Sequence, residues 1–122
     1  MRIDHVLICT KDIAAMQNFF EEVLCLEPGP RPPFPFDGIW LYSDSKPVIH
    51  LAASSNHGSN GAVDHIAFTG DEYEQLINRL AQAEREYVER TVPGSGEHQV
   101  FVTGPEGIAL EIQFPAGAVP GK

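Results

Sequence analysis

The chain has 122 residues, a length typical of one domain, and its 17 acidic and 8 basic residues give a formal net charge of −9 at pH 7. This charge, and the lack of any lysine- or arginine-rich run, argue against nucleic acid and anionic membranes as partners. No apolar stretch is long enough to span a membrane and no signal peptide is visible, so we expect a cytoplasmic protein. Two cysteines are too few for a disulfide framework.

Periodicity in the first half predicts a strand, a helix and two further strands. Residues 2–10 alternate polar and apolar side chains, as in a largely buried strand. Asp12 is placed to cap a helix, and Pro28-Gly29-Pro30 ends it. The apolar residues of this helix recur at helical spacing: Ile13, Met16, Phe20, Val23 and Leu24. Strands are then predicted over residues 38–42 and 47–52, on either side of a turn at residues 43–45.

The second half repeats this order. Residues 63–69 predict a strand, and Asp71 with Glu74 resembles the capping box of a following helix that carries Leu76 and Leu80 on one face. Residues 99–103 and 108–114 flank a Gly-containing turn and predict a hairpin. Residues 55–61 are polar and glycine-containing, as in a linker. We therefore expect one module over about residues 1–54 and a second over about residues 62–115.

The repeat includes residues that bind metals. Ile3-Asp4-His5-Val6 returns as Val63-Asp64-His65-Ile66, and Val48-Ile49-His50-Leu51 returns as Ala109-Leu110-Glu111-Ile112, at nearly the same spacing. A duplicated unit can fold into two halves that face each other. We therefore expect four side chains to converge on one metal ion: His5, His50, His65 and Glu111. For any one of these histidines alone, a hydrogen-bonded core residue is the competing interpretation.

The chemistry of this ligand set indicates a catalytic site. Imidazole nitrogens and a carboxylate suit Zn, Ni, Mn, Co or Fe(II). Four protein ligands leave one or two coordination positions open, which is typical of a catalytic ion and not of a structural one. A single anionic ligand, Glu111, leaves a divalent ion with net positive charge. Such an ion favours an anionic oxygen substrate.

Other residues are candidates for substrate binding. Arg31 lies in a proline-rich loop whose fixed backbone would aim a guanidinium at a substrate carboxylate, and its competing interpretation is a surface arginine. Trp40 would line a pocket or belong to the core. His98, in a glycine-containing loop, is expected to be exposed and would close over the site as a proton donor. Asp4 and Asp64 precede predicted ligands and are expected to point to the opposite face of their strands.

These residues resemble the vicinal oxygen chelate superfamily, which includes glyoxalases, bleomycin resistance proteins, extradiol dioxygenases and epimerases, and its glyoxalase-like subgroup in particular. The resemblance covers essentially the whole chain, and its strongest pieces are residues 3–5, 63–68 and 100–111. It implies a single domain over residues 1–122 with an α+β fold. In that fold, tandem βαβββ modules form a curved mixed sheet around a metal site. Relatives cover their sheet edges with a second chain, so we also expect a homodimer.

The resemblance implies a metal-dependent lyase or isomerase that acts on a small oxygenated anion through an enediolate-type intermediate. A divalent metal would be held by the four predicted ligands, and Glu111 or metal-bound hydroxide would carry the proton. Glutathione-dependent glyoxalases have an arginine and an asparagine where this chain has Cys9 and Ser54. Glutathione is therefore not the expected cosubstrate.

Two alternatives stay open. An Fe(II) extradiol dioxygenase would use His5, His65 and Glu111, but such enzymes also carry a tyrosine where this chain has Phe101. A non-catalytic drug- or small-molecule-binding resistance protein has the same fold, but proteins of that kind usually lack the ligand set.

Overall fold

One mixed sheet runs through the whole fold, with the helices packed on one of its faces. The computed structural model describes residues 1–56 and 61–119. Within these residues the chain twice forms a strand, an α-helix and three strands. The first set is β1 (Arg2–Thr10), α1 (Ile13–Leu24), β2 (Glu27–Gly29), β3 (Gly38–Ser43) and β4 (Lys46–Ala53). The second is β5 (Val63–Thr69), α2 (Tyr73–Gln82), β6 (Val88–Thr91), β7 (His98–Thr103) and β8 (Ala109–Phe114), with a 3₁₀ turn at Pro105–Gly107.

The strand order shows that the two halves are related by symmetry. It reads β2-β3-β4-β1-β5-β8-β7-β6, so the first strand of each half lies at the centre of the sheet. β1 pairs with β5 in antiparallel orientation and with β4 in parallel orientation, and β5 pairs in parallel with β8. This arrangement confirms the predicted α+β class and the tandem βαβββ modules in one curved mixed sheet.

Each helix covers one apolar cluster. The first cluster contains Ile8, Leu26, Leu41 and Leu51, with Ile13, Met16 and Phe20 of α1 packed against it. The second contains Leu76, Leu80, Val100, Ile112 and Phe114. Since side chains alternate along a strand, residues between these core positions project to the opposite face of the sheet. In the described part of the chain, α1 and α2 pack on the other face, and this face carries the candidate site.

The helix starts differ in how they are capped. Asp12 caps α1 as predicted, because its Oδ1 accepts a hydrogen bond of 3.0 Å from the backbone N–H of Ala15. The predicted capping box of α2 is wrong. Glu72 is the N-cap residue there, and its side chain makes no capping hydrogen bond.

Two short edge strands escaped the sequence-based prediction. β2 spans only Glu27–Gly29, whose proline and glycine read as a turn. β6 spans Val88–Thr91, and all four of its residues are exposed, so no apolar alternation marks it. Each module therefore has three strands after its helix.

The module boundaries near residues 54 and 62 stay predictions. Residues 57–60 of the predicted linker and residues 120–122 of the predicted domain lie outside the described residues. In the described part of the chain, neither α-helix has the length and apolar character needed to cross a membrane.

Candidate metal centre

A row of paired residues crosses the sheet at its centre. Phe101 of β7 lies opposite Glu111 of β8, Glu111 opposite Ala67 of β5, and Ala67 opposite His5 of β1. Directly paired residues on neighbouring strands project from the same face of a sheet. His5 and Glu111 therefore stand on either side of Ala67, which is fully buried. Its methyl group leaves the space between their side chains open.

A second row lies beside the first. Trp40 of β3 pairs with His50 of β4, His50 with Leu7 of β1, and Leu7 with His65 of β5. The sheet register thus brings all four predicted ligand positions to one face, although they are far apart in sequence.

Three of these side chains meet within a single chain. The Nε2 atom of His65 lies 3.0 Å from Oε1 of Glu111, and Nε2 of His5 lies 3.8 Å from Oε2 of the same carboxylate. The ligand atoms of the three residues all lie within 4.8 Å of one another. These separations suit three ligands placed around one ion at about 2.0–2.2 Å from each.

The polar atoms of this triad fit a metal ion. His5 and Glu111 are only 3% and 2% exposed. Within the described residues, His65 Nε2 and Glu111 Oε2 are buried and make no hydrogen bond, despite their proximity to the neighbouring ligand atoms. Leaving buried polar atoms unsatisfied costs about 1–3 kcal/mol each. A cation between them would satisfy both, and two imidazoles with a carboxylate are a common donor set for divalent transition metals.

Two aspartates hold the histidine rings. Asp4 Oδ1 accepts a hydrogen bond of 2.8 Å from Nδ1 of His5, and Asp64 Oδ2 accepts one of 2.9 Å from Nδ1 of His65. A proton on each Nδ1 leaves the Nε2 lone pair directed at the centre. Carboxylates in this position fix the ring orientation of metal-binding histidines and raise their basicity.

The prediction that Asp4 and Asp64 face away from the histidines is therefore wrong. In the β1–β5 ladder, Ile3 pairs with Phe68 and His5 with the next residue, Ala67, so Asp4 is an extra residue. Asp64 is likewise skipped between paired His65 and Val63. Such β-bulges break the strict alternation of side chains. The same bulge occurs in both modules and brings each aspartate beside its histidine.

The surroundings of the site shift the pKa values of Asp4, His65 and His50. The hydrogen bond to His5 lowers the pKa of Asp4 to about 2, although burial opposes this, and a hydrogen bond of 2.7 Å from Thr69 adds to it. Burial disfavours the charged form of His65, but the carboxylates of Glu111 and Asp64 outweigh that effect and raise its pKa. Burial lowers the pKa of His50 to about 2, with a smaller contribution from electrostatic repulsion between its protonated form and the neighbouring His5 ring. His50 is therefore a neutral imidazole.

His50 lies against the triad but is not part of it. Its ring is stacked between Trp40, at 3.8 Å between centroids, and His5, at 3.5 Å. Its Nε2 donates a hydrogen bond of 3.0 Å to the carbonyl of Pro47. For Nε2 to bind the ion, His50 would have to break its hydrogen bond to the carbonyl of Pro47. Its role as fourth ligand stays a prediction.

The triad forms the floor of a cleft of about 60 Å³. Trp40 and Arg31, both predicted to bind substrate, line this cleft. Arg31 donates a hydrogen bond of 2.8 Å from Nη2 to the carbonyl of Phe36, and its guanidinium carbon lies 5.3 Å from the ring centre of Phe34. This volume is well below the roughly 300–1,000 Å³ of pockets for drug-sized ligands. The cleft in this conformation thus suits a small molecule.

The structure does not bring His98 to this cleft. It is the first residue of β7, pairs with the core residue Phe114, and is 4% exposed, so the expected exposed loop position is wrong. Its Nε2 lies 2.7 Å from Oε1 of Glu89, and its ring packs edge-on against Tyr73 of α2. A substrate-binding role for His98 has no support from this position.

Sequence reasoning missed Arg90, which lines the cleft from the second module. Its Nε donates a hydrogen bond of 2.7 Å to Oε1 of Gln99. The sequence repeat did not mark it, because nine positions separate Arg31 from Trp40 whereas eleven separate Arg90 from Phe101, and the relationship appears only in the strand pairing. In the first module, Gly29 pairs with Trp40, and Arg31 stands two residues after Gly29. In the second module, Val88 pairs with Phe101, and Arg90 stands two residues after Val88. The two arginines therefore occupy equivalent positions in the modules.

The fold of this chain is similar to those of several solved structures. The chain is similar in structure to a glyoxalase/bleomycin resistance protein/dioxygenase superfamily member from Vibrio splendidus 12B01, with 18% identity, a TM-score of 0.69, and coverage of 90% of this chain and 96% of that one. It is also similar to methylmalonyl-CoA epimerase from Mycobacterium tuberculosis, with 15% identity, a TM-score of 0.68, and coverage of 94% and 88%. A Streptomyces coelicolor methylmalonyl-CoA epimerase in complex with 2-nitronate-propionyl-CoA gives 18% identity, a TM-score of 0.67, and coverage of 97% and 96%.

At these identities the structural likeness establishes the fold, and the family is established by sequence. No curated protein matches the chain. The family model described as Glyoxalase/Bleomycin resistance protein/Dioxygenase superfamily matches residues 2–112, nearly the whole chain. The chain therefore belongs to the Glyoxalase/Bleomycin resistance protein/Dioxygenase superfamily.

Proposed function

We propose that this protein is a metal-dependent lyase or isomerase of glyoxalase type that moves a proton on a small oxygenated anion. The observation that carries the proposal is the convergence of His5, His65 and Glu111 in a cleft, with buried ligand atoms that lack hydrogen-bond partners among the described residues. A divalent ion of Zn, Ni, Mn, Co or Fe(II) would be held by these three residues, with His50 as the fourth ligand. When bound, it would supply Lewis-acid stabilisation of negative charge that develops on a substrate oxygen.

Glu111 is the proposed catalytic residue. It is almost completely buried on β8, and its two oxygens face different histidines, Oε1 towards His65 and Oε2 towards His5. A carboxylate with two differently placed oxygens can bind with one and take up or return a proton with the other. The buried position keeps bulk water away from that proton.

Charge in the cleft supports an anionic substrate. Glu111 is the single anionic member of the triad, so a divalent ion would remain positively charged. Arg31 adds a second positive charge in the same cleft, and Trp40 supplies an apolar wall. We propose that Arg31 pairs with a substrate oxyanion and that Trp40 packs against its carbon skeleton.

The decisive experiment measures proton exchange. Untagged protein is loaded with Zn, Ni, Mn, Co or Fe(II) and incubated in D₂O with methylglyoxal, methylmalonyl-CoA and other α-acidic carbonyl compounds. Methylmalonyl-CoA is included because structurally similar proteins act on it. We expect deuterium to enter at the carbon next to a carbonyl, as followed by NMR, and Glu111→Gln to abolish this exchange.

Two controls define the result. Glu74→Gln changes an exposed carboxylate on α2 and should leave exchange unchanged. His65→Ala should lower metal content, measured by mass spectrometry of the purified protein. Equal metal content in the wild type and His65→Ala would overturn the metal assignment.

A second candidate function is an Fe(II) extradiol-type dioxygenase. The triad of two histidines and one carboxylate is the facial set used by non-haem Fe(II) oxygenases, and His50 lies outside it. Phe101 lies directly opposite Glu111 and edge-on to His65, at the position of the tyrosine in such enzymes, and brings no hydroxyl to the site. Oxygen uptake by Fe(II)-loaded protein with catechols would favour this function over proton transfer.

We also propose that two copies associate. The outer face of α1 is apolar and exposed: Phe19 is 54%, Val23 61% and Leu24 57% accessible to solvent. No residue of this helix is buried. Contiguous apolar surface of this kind is typical of an interface. A symmetric homodimer would cover this face on both copies at once.

A further inference from the structure

Two arginines from different modules lie over one aromatic ring in the cleft. The guanidinium carbon of Arg31 lies 5.3 Å from the ring centre of Phe34, and that of Arg90 lies 5.8 Å from the same point. Both arginines line the cleft whose floor is the candidate metal centre. Phe34 therefore lies within cation–π distance of two positive charges, and both charges line the same cleft as the triad.

Among the described residues, no salt bridge joins Arg31 or Arg90 to an acidic side chain. Across residues 1–56 and 61–119, the ion pairs are formed by His5, His65 and His98, and none includes Arg31 or Arg90. Each guanidinium has five N–H donors. Arg31 uses one on the carbonyl of Phe36, and Arg90 uses one on the amide oxygen of Gln99.

Besides Glu111, the cleft is lined by a second acidic residue, Glu97. Its carboxylate accepts a hydrogen bond from Nε2 of Gln113 and makes no ion pair within the described part of the chain. The chain has a net charge of −9, yet this cleft contains two arginines that form no salt bridge within the described residues. Unpaired guanidiniums of this kind are suited to bind a carboxylate or phosphate.

We infer that the substrate carries a second anionic group, a carboxylate or a phosphate, and that Arg31 and Arg90 bind this group together. The inference rests on the proposed metal-dependent function and adds the substrate class. One end of the molecule presents oxygens to the triad of His5, His65 and Glu111, and the other end is held between the arginines. Arg90 is then a specificity-determining residue, because it selects dianions over monoanions.

The test compares two probes with the same hydroxy-carboxylate end. L-Malate and L-lactate share this end, and malate alone adds a second carboxylate. With Zn-loaded protein, calorimetry should show malate binding at least about tenfold more tightly than lactate. Arg31→Gln and Arg90→Gln should each weaken malate binding about tenfold and change lactate binding less than about threefold. Equal affinities for the two probes, or equal losses for both in the variants, would overturn the inference.

Two further variants separate substrate binding from packing. Arg79→Gln removes an exposed arginine on α2 and should leave both affinities unchanged. In the Arg31→Gln/Arg90→Gln double variant, the loss for malate should be smaller than the two single losses combined, since both residues hold one group. Strictly additive losses would mean that the arginines act independently.

Metal-free protein tests the subsite without the proposed function. Inorganic phosphate is the probe, and its binding is followed by NMR. Wild-type protein should bind it, and each single variant should bind it at least about tenfold more weakly. Absence of phosphate binding would overturn the subsite even in a protein that takes up metal. Phosphate binding by a protein that takes up no metal would keep the subsite and overturn the proposed metal-dependent function.

Discussion

The indole of Trp40 and the imidazole of His50 are stacked, with ring centroids 3.8 Å apart and an angle of 12° between their planes. His50 in turn stacks on His5, a member of the triad, at 3.5 Å. A column of three rings thus connects the cleft wall to the candidate metal centre. Trp40 is the single tryptophan of the chain. Its emission should therefore respond to a change at the candidate metal centre.

This column predicts an optical signal for metal binding. Zn²⁺ added to metal-free protein should change the emission of Trp40 and reach saturation at one ion per chain, because a bound ion would place a positive charge on the ring of His5 at the end of the stacked column. Fluorescence titration measures this change. His50→Ala removes the middle ring and should reduce the signal while Zn²⁺ is still bound. Unchanged Trp40 emission in protein that mass spectrometry shows to be metal-loaded would contradict the coupling.

Glu111 should contribute more to metal affinity than His50. Glu111 belongs to the triad and supplies its negative charge, whereas His50 donates its Nε2 hydrogen bond to the carbonyl of Pro47. Glu111→Gln should therefore weaken Zn²⁺ binding more than His50→Gln does, by about tenfold or more, when both are measured by competition with a chelator. An equal or larger effect of His50→Gln would show that the negative charge of Glu111 does not dominate metal affinity and would contradict this prediction.

The two aspartates should act on the metal through the histidines. Asp4→Asn and Asp64→Asn keep side-chain size but weaken the hydrogen bond to Nδ1, and each should reduce Zn²⁺ affinity about 10–100-fold. Asp4→Asn should have the larger effect, because the Asp4 side chain is 22% exposed, against 44% for Asp64, and also accepts a hydrogen bond from Thr69. Asp44→Asn, at an exposed turn, is the matched control. Unaltered affinity in both variants would mean that the carboxylates do not orient the rings.

The resemblance to the superfamily implied the fold, and the repeat in the sequence was sufficient to predict the order of strands and helices and the four residues that the sheet brings to one face. It was not sufficient for the bulges at Asp4 and Asp64, since an inserted residue in a strand leaves no mark in composition. His98 illustrates a second limit. It follows the glycine- and serine-containing residues 94–96, which indicated a loop, but its partner Glu89 lies on β6, a strand that has no apolar pattern. Arg90 was missed for the same reason.

The proposed homodimer predicts a response to charge on α1. Light scattering at micromolar concentration should give twice the chain mass for the wild type. Phe19→Glu introduces a charge on the exposed apolar face of α1 and should shift the protein towards the monomer. Glu22→Gln, at an exposed position on the same helix, should leave the dimer intact. A wild-type protein that is monomeric under these conditions would contradict the proposal.

Within this dimer each chain should hold a complete metal centre. His5, His65 and Glu111 come from both modules of one chain, and their ligand atoms lie within 4.8 Å of one another without help from a second copy. Mixing His5→Ala and Glu111→Ala chains should therefore restore neither Zn²⁺ binding nor deuterium exchange. Each variant lacks a ligand that the other copy has no way to replace. Metal content and exchange are measured after the variants have been unfolded together and refolded. Recovery of about one quarter to one half of the wild-type metal content would show instead that the modules are exchanged between subunits, as in a domain-swapped dimer.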